Sequence, residues 1–250
     1  MIKNTLNLIK LKNKYQGKHC FILGNGPSLK KHDLAPLINQ HVFAVNWFVL
    51  HPIFPQLKKC FYCISDPQFW DYGKGFFPEL VNNLRLSKNL TTFFERSAYK
   101  SYRSIQPPLK HPVFFIKLNR RRKASLGYFS SKIWLSINWG STVIMDLCLP
   151  IAFYLGFKKI YLLGCDCDYQ LDKDKAFNHS YFFQLTKTPK KYRQHLIKHY
   201  QPSSTNLPIW MSGYQTINKA ASQYQVKIYN AGIGGKLEVF PRVKYQSLFK

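Results

Sequence analysis

At 250 residues, 46% of them apolar, the chain is long enough to bury a large core and too apolar to stay disordered. No run of about 18 apolar residues marks a membrane span. Lys and Arg outnumber Asp and Glu 37 to 11, a formal charge of +26. Such a surface needs an anionic neighbour: nucleic acid, anionic lipid headgroups or a charged sugar nucleotide. The aromatic residues, 16% of the chain, suit base stacking and the lipid headgroup layer alike.

Residues 2–14 set Ile and Leu among Lys and Asn, a short basic amphipathic segment that either packs on the domain or lies at a membrane surface. Lysines spread through Met1 to Gly17 do not read as a secretory signal, which predicts a cytoplasmic protein. Cys20 to Leu23 then predicts a strand running into Gly24-Asn25-Gly26-Pro27-Ser28, a tight turn followed by a helix to about Ile38. Glycines 24 and 26 suit positive φ and close approach to a ligand, and free amides at a helix start favour a phosphate.

Strands follow at 42–45, ending in Asn46, and at 60–64, ending in Ser65-Asp66. Carboxyl ends of parallel strands line one crevice, so Asn25, Asn46 and Asp66 are expected to share a site. A helix near 77–86 and strands at 90–94 and 112–117 continue the alternation. Asn119 to Lys123, with Arg120 to Arg122 at its centre, reads as a cationic loop, either solvated or facing an anionic substrate or membrane. Ser141 or Thr142 is a natural N-cap for a helix over 143–154, which Pro150 should kink.

Lys158 to Gly164 is an apolar run fit for the centre of a sheet. It ends in Gly164-Cys165-Asp166-Cys167-Asp168-Tyr169, where two of the few acidic residues stand together. An Asp-x-Asp pair suits a divalent cation on a diphosphate, or Asp166 contacts a ribose or the acceptor instead. Residues 170–207 read as a lid after a strand end. His179 is its best general base, with His195 and His199 next. A helix over 208–224 and a strand at 226–229 close the chain with a glycine-rich loop carrying Lys236 and Arg242. The six cysteines, Cys60-x-x-Cys63 included, read as buried free thiols rather than a metal site.

Taken together, Gly24-Asn25-Gly26-Pro27-Ser28-Leu29, Asn46, Asp66-Pro67, Ser141 with Met145, Leu155 to Asp166 and the closing Tyr229 to Val243 resemble two groups. One is the small bacterial sialyltransferases that use CMP-sugars; the other is surface-polysaccharide proteins similar to 6-hydroxymethylpterin diphosphokinase. The resemblance implies a Rossmann-like α/β fold, single-domain and GT-A-like, with a mostly parallel twisted sheet, helices on both faces and a mobile lid. The expected units are residues 1–17, a basic N-terminal segment; 18–169, a nucleotide-binding domain; 170–207, the lid; and 208–250, a completing helix and strand.

The resemblance further implies transfer of a sialic-acid-like or Kdo-like sugar from CMP to a hydroxyl of a surface glycan, without metal. It assigns donor contacts to Asn25, Asn46, Ser141 and Gly164 with Asp166, and the turn and strand-end positions add Gly24, Gly26, Ser28, Asp66, Thr142 and Asp168 to the expected donor site. The resemblance gives a lid histidine the role of base and lid tyrosines that of steadying the leaving phosphate, for which His179, Tyr169 and Tyr181 are the candidates in this sequence. Asp66 stands where the sialyltransferases have an asparagine, and Asp168 where they have a tyrosine. The expected partners are a CMP-sugar, a glycan or lipid-linked acceptor, the anionic inner face of the cytoplasmic membrane and a second copy of the chain, with no nucleic acid. Two alternatives stand beside this: Mg²⁺-dependent pyrophosphoryl transfer from ATP, and a basic nucleic-acid-binding protein.

Overall fold

The computed structural model describes residues 2–70, 77–123, 132–168, 181–182 and 203–249. Its centre is a seven-stranded, wholly parallel sheet built from β1 (His19–Leu23), β2 (His41–Val45), β3 (Lys59–Ile64), β4 (Leu90–Glu95), β5 (Val113–Ile116), β8 (Lys159–Leu163) and β9 (Lys227–Asn230). The strand order is β5-β4-β3-β2-β1-β8-β9. A separate two-stranded parallel sheet pairs β6 (Leu118–Lys123) with β7 (Ile137–Trp139). The helices are α1 (Ile2–Ile9), α2 (Phe77–Leu84), α3 (Tyr99–Arg103), α4 (Leu149–Tyr154) and α5 (Ser203–Gln223).

Period-two alternation divides the central strands between two cores. Cys20, Ile22, Phe43, Phe61, Phe93 and Ile160 pack on the side of α4 and α5; Phe21, Leu23, Val42, Tyr62 and Phe94 pack on the side of α2. Both faces are therefore covered, as an all-parallel sheet requires. The same alternation explains the cysteines, all of which are free. Cys60 and Cys63, three residues apart on β3, point to opposite faces and join different cores. Both sheet edges are occupied: Asn4 of α1 exchanges hydrogen bonds with the backbone of Phe115 on β5, and Asn230 of β9 bridges Arg242.

Three expectations are corrected. The stretch from Ser28 to Ile38 is not an α-helix but two 3₁₀ turns, Pro27–Lys31 and Ala35–Leu37. Asp33 accepts the amide of Ala35 at 2.9 Å and Pro36 has no amide to continue a helix, so the backbone breaks between the turns. The cationic run is not a loop but strand β6, because β7, distant in sequence, supplies its hydrogen-bond partners; the ladder bulges between Asn119 and Lys123. The helix expected over 143–154 is present but is not α-helical throughout: a π-helical turn, Ile144–Cys148, runs straight into α4, and the wider ladder ends beside Pro150, which has no amide to donate.

Candidate functional site

The order of the sheet reverses between β1 and β8: the chain proceeds from β1 outward to β5, then returns to lay β8 on β1's other side. In an open parallel sheet the carboxyl ends at such a point diverge and leave a crevice. Here the tips of β1 and β8 are clamped together just below it. The Gly24 amide donates to the Leu163 carbonyl and the Gly26 amide to the Gly164 carbonyl, both at 2.8 Å. A Cβ on Gly24 would lie 2.2 Å from the Gly164 oxygen, and one on Gly26 would lie 2.4 Å from the Asp166 carboxylate. Gly26 has φ of −66°, so it is required for approach between two chain segments rather than for positive φ, which corrects the sequence expectation. Gly164 is the glycine that does need the left-handed region, at φ of +62°.

The amides behind Pro27 are also not free for a phosphate. Ser28 donates its amide to Asp166 Oδ2 at 2.9 Å and its hydroxyl to Oδ1 at 2.5 Å. This carboxylate holds the turn, and the short 3₁₀ segment offers no helix dipole. Ser28→Ala is therefore expected to lower unfolding free energy by about 2 kcal/mol, the scale of a hydrogen bond to a charged group. Denaturant unfolding checks it, and an unchanged midpoint would remove Asp166 as the anchor.

Above this clamp lies a cleft of about 350 Å³. Its walls include Gly24, Asn25, Asn46, Asp66, Ser141, Thr142, Gly164 and Tyr181, so much of the expected set converges on one place. The side-chain oxygens of Asn25 and Asn46 are buried without a hydrogen-bond partner. Each residue's backbone is meanwhile fixed: the Asn25 carbonyl accepts from the Phe182 amide at 3.0 Å, and the Asn46 carbonyl from the Tyr62 hydroxyl at 2.5 Å. Buried acceptors without partners are costly, and here two belong to residues that line one cleft. Five described non-glycine residues have positive φ, and three of them, Asn46 (+48°), Ser141 (+76°) and Cys167 (+51°), line the cleft. Strain of that kind concentrates where a chain holds side chains toward a ligand.

The floor carries a group that the sequence reading passed over. Asp146, in the π-helical turn and 3% exposed, accepts from the Gly140 amide at 2.7 Å and the Ser65 hydroxyl at 2.8 Å. Burial pushes its carboxyl up from 3.8 to about 6, with the Gly140 and Ser65 hydrogen bonds and the nearby Arg120 guanidinium working against that rise. Arg120 Nη2 in turn donates to the Ser65 carbonyl at 3.4 Å. One buried carboxylate thus ties the end of β3 to the start of the π-helical turn. Arg120 is the cationic residue among the described cleft walls, set against Asp66 and Asp146.

Other expected residues lie elsewhere. Gly26, Ser28, Asp166 and Asp168 are not part of the cleft wall. Asp168 faces Lys236 at 2.8 Å, and Arg242 faces Glu238, so both C-terminal cations are engaged with carboxylates. Asp66 is in the wall, but its carboxylate accepts the Gln68 amide at 3.0 Å and side chain at 2.5 Å, capping its own turn. His179, Tyr169, His195 and His199 fall outside the described residues. Among the described residues no cluster of His, Cys, Asp and Glu is arranged to hold a metal ion. The sequence reading missed Trp139, Trp210 and Tyr214 as aromatic walls. Trp210 and Tyr214 stand four apart on α5, the spacing that puts two side chains on one helix face.

The family described as "MptE-like: 6-hydroxymethylpterin diphosphokinase MptE-like" matches residues 1–172. The chain belongs to the MptE-like family. Its fold is similar to that of the sialyltransferase CstII from Campylobacter jejuni. One CstII structure, in complex with CMP-3FNeuAc, gives a TM-score of 0.54 at 18% identity, covering 90% of this chain and 86% of that one. Another, in complex with cytidine-5'-monophosphate, gives 0.50 at 19%, covering 91% and 85%. Curated proteins show no match. This MptE-like chain thus has the expected Rossmann-like α/β architecture, with the strand-end crevice formed at β1 and β8.

Proposed function

We propose that the chain is a glycosyltransferase that moves a sialic-acid-like or Kdo-like sugar from a CMP donor to a hydroxyl of a surface glycan, lipooligosaccharide or capsule. The observation that carries the reading is that Asn25 and Asn46, whose buried side-chain oxygens lack partners, both line one cleft at the sheet's switch point. Acceptors of this kind call for ligand donors, which the cytosine amino group and ribose hydroxyls supply. The aromatic walls, Trp139, Trp210 and Tyr214, suit a flat base and a sugar ring. Arg120 suits the donor's negative charge. The likeness in fold to CstII, itself solved with CMP, supports the choice of nucleotide.

In this reaction the acceptor oxygen bonds to the anomeric carbon as the bond from that carbon to the CMP phosphate breaks. His179 takes the acceptor's proton, and Tyr181 and Tyr169 steady the departing phosphate. Tyr181 is at the cleft, and the Phe182 ring beside Phe48 (5.5 Å) and His51 (5.2 Å) pins that segment. A single leaving phosphate lets hydroxyls and Arg120 stand in place of a cation.

Family membership favours a second reading, pyrophosphoryl transfer from ATP with Mg²⁺. Its expected metal ligands, Asp166 and Asp168, are engaged by Ser28 and Lys236, which supports the first reading over this one. Thermal unfolding separates the readings. At a concentration about a hundred times Kd, CMP should add about 2.7 kcal/mol of stability, and the gain should survive EDTA. A gain seen with ATP and Mg²⁺ alone would replace this reading with the kinase. A gain with unrelated DNA that fades with salt, and none with CMP, would make the chain a nucleic-acid binder.

A further inference from the structure

Helix α1 carries two apolar stripes. One faces inward: Leu8 is fully buried, Leu11 packs on the core, and Asn4 is bonded to β5. The other faces water, with Leu6 54% and Ile9 42% exposed three residues apart on one side of the helix. Leu135, 61% exposed, follows Trp134, whose ring meets Tyr154 at 6.2 Å. The Tyr154 hydroxyl donates to the Leu8 carbonyl at 3.0 Å, so the loop bearing Leu135 adjoins α1. Lys10, Lys12, Lys14 and Lys18 are exposed on the turns that follow, and the first acidic residue of the chain is Asp33. The inner stripe anchors α1 to the domain; it leaves the outer stripe uncovered.

We propose that this face docks on an anionic lipid bilayer, with Leu6, Ile9 and Leu135 at the boundary of headgroups and acyl chains and the lysines against lipid phosphates. No described helix is long and apolar enough to cross a membrane, so the contact is interfacial. Charge selects this occupant over a second copy, because two chains of formal charge +26 repel each other. Three separated aliphatic side chains also fall far short of the roughly 800 Å² per partner that a stable interface buries. A nucleic acid would engage the lysines and leave the aliphatics in water. A bilayer engages both.

Co-sedimentation of the full chain with vesicles tests this, using phosphatidylcholine alone and phosphatidylcholine with about one third phosphatidylglycerol. The wild type should bind the anionic vesicles and not the neutral ones. Leu6→Ser with Ile9→Ser should weaken binding by about tenfold or more while leaving retention on heparin unchanged. Lys10→Gln with Lys12→Gln and Lys14→Gln should weaken both. Wild-type chain that stays in the supernatant, or an aliphatic double variant that binds vesicles as tightly as wild type, overturns the proposal. The second result would leave a polyelectrolyte patch for nucleic acid. Should the double variant not fold, Leu135→Ser decides by the same readouts. The CMP-induced thermal gain should be unchanged in every folded variant, so failure here and failure of the donor assignment are told apart.

Discussion

Replacing Gly24 by alanine should cost about 3 kcal/mol of unfolding free energy or more and abolish ligand-induced stabilisation together with it. The added carbon would sit 2.2 Å from the carbonyl oxygen and 2.8 Å from the carbonyl carbon of Gly164. Both are backbone atoms, at the tip of a fully buried strand, so no side-chain rotation relieves the overlap. Relief requires β1 and β8 to separate, which breaks the 2.8 Å bond from Gly24 to Leu163 and displaces Asn25 from the cleft. Gly234→Ala is the control. That glycine has φ of +77° with nothing within 4 Å of its Cβ position, so only left-handed strain of about 1 to 2 kcal/mol applies. Equal unfolding midpoints for the two variants would contradict the clamp between the two strand tips.

The second large effect belongs to Asp146. Its carboxyl titrates near 6 in the folded chain against 3.8 ordinarily, so the folded state holds the proton more tightly than the unfolded state. The stability this contributes is fully present below 3.8 and is lost as pH rises through about 6, an amount on the order of 3 kcal/mol. Half-buried His41 and His111, each lowered to about 4 chiefly by burial, act oppositely, adding stability above their ordinary 6.5 that is lost as pH falls. The difference between wild type and Asp146→Asn therefore isolates the aspartate.

Asparagine keeps an acceptor for the Gly140 amide without a charge. Above about pH 7 it should match or exceed the wild type in stability, and it should lose its advantage as the medium is acidified. Asp146→Ala should be worse at every pH, by about 2 kcal/mol, because it orphans a buried amide and leaves a void. Denaturant titrations from acid to neutral pH give both curves. An asparagine variant as weak as the alanine one would show that the charge itself holds β3 to the π-helical turn.

Several features of this site were legible before any coordinates. Asn25, Asn46, Asp66 and Gly164 follow apolar runs, and apolar runs alternating with helix signals fix a parallel sheet whose carboxyl ends collect ligands. Asp146 was not legible, since an acidic residue inside an apolar helix pattern carries no sign of which amide it will meet. Nor were Trp139, Trp210 and Tyr214 legible as cleft walls, because a ring that walls a cleft and a ring that fills a core have one hydrophobic signature. The glycine turn was located correctly, but positive φ was not its reason, because the residue that crowds Gly24 lies 140 positions later, at Gly164.

The sequence by itself determined the local alternation of strands and turns, the positive charge, and which polar residues stand at strand ends, since these depend on side-chain pattern and backbone freedom within a few residues. Only the tertiary structure decided how carboxylates are shared. Asp166 goes to Ser28, Asp168 to Lys236 and Asp146 to Ser65 and Gly140, leaving Asn25 and Asn46 with open acceptors. Hydrogen-bond pairing across the sheet is set by which strands become neighbours, and that order follows from burying two faces of one sheet rather than from any short stretch of chain.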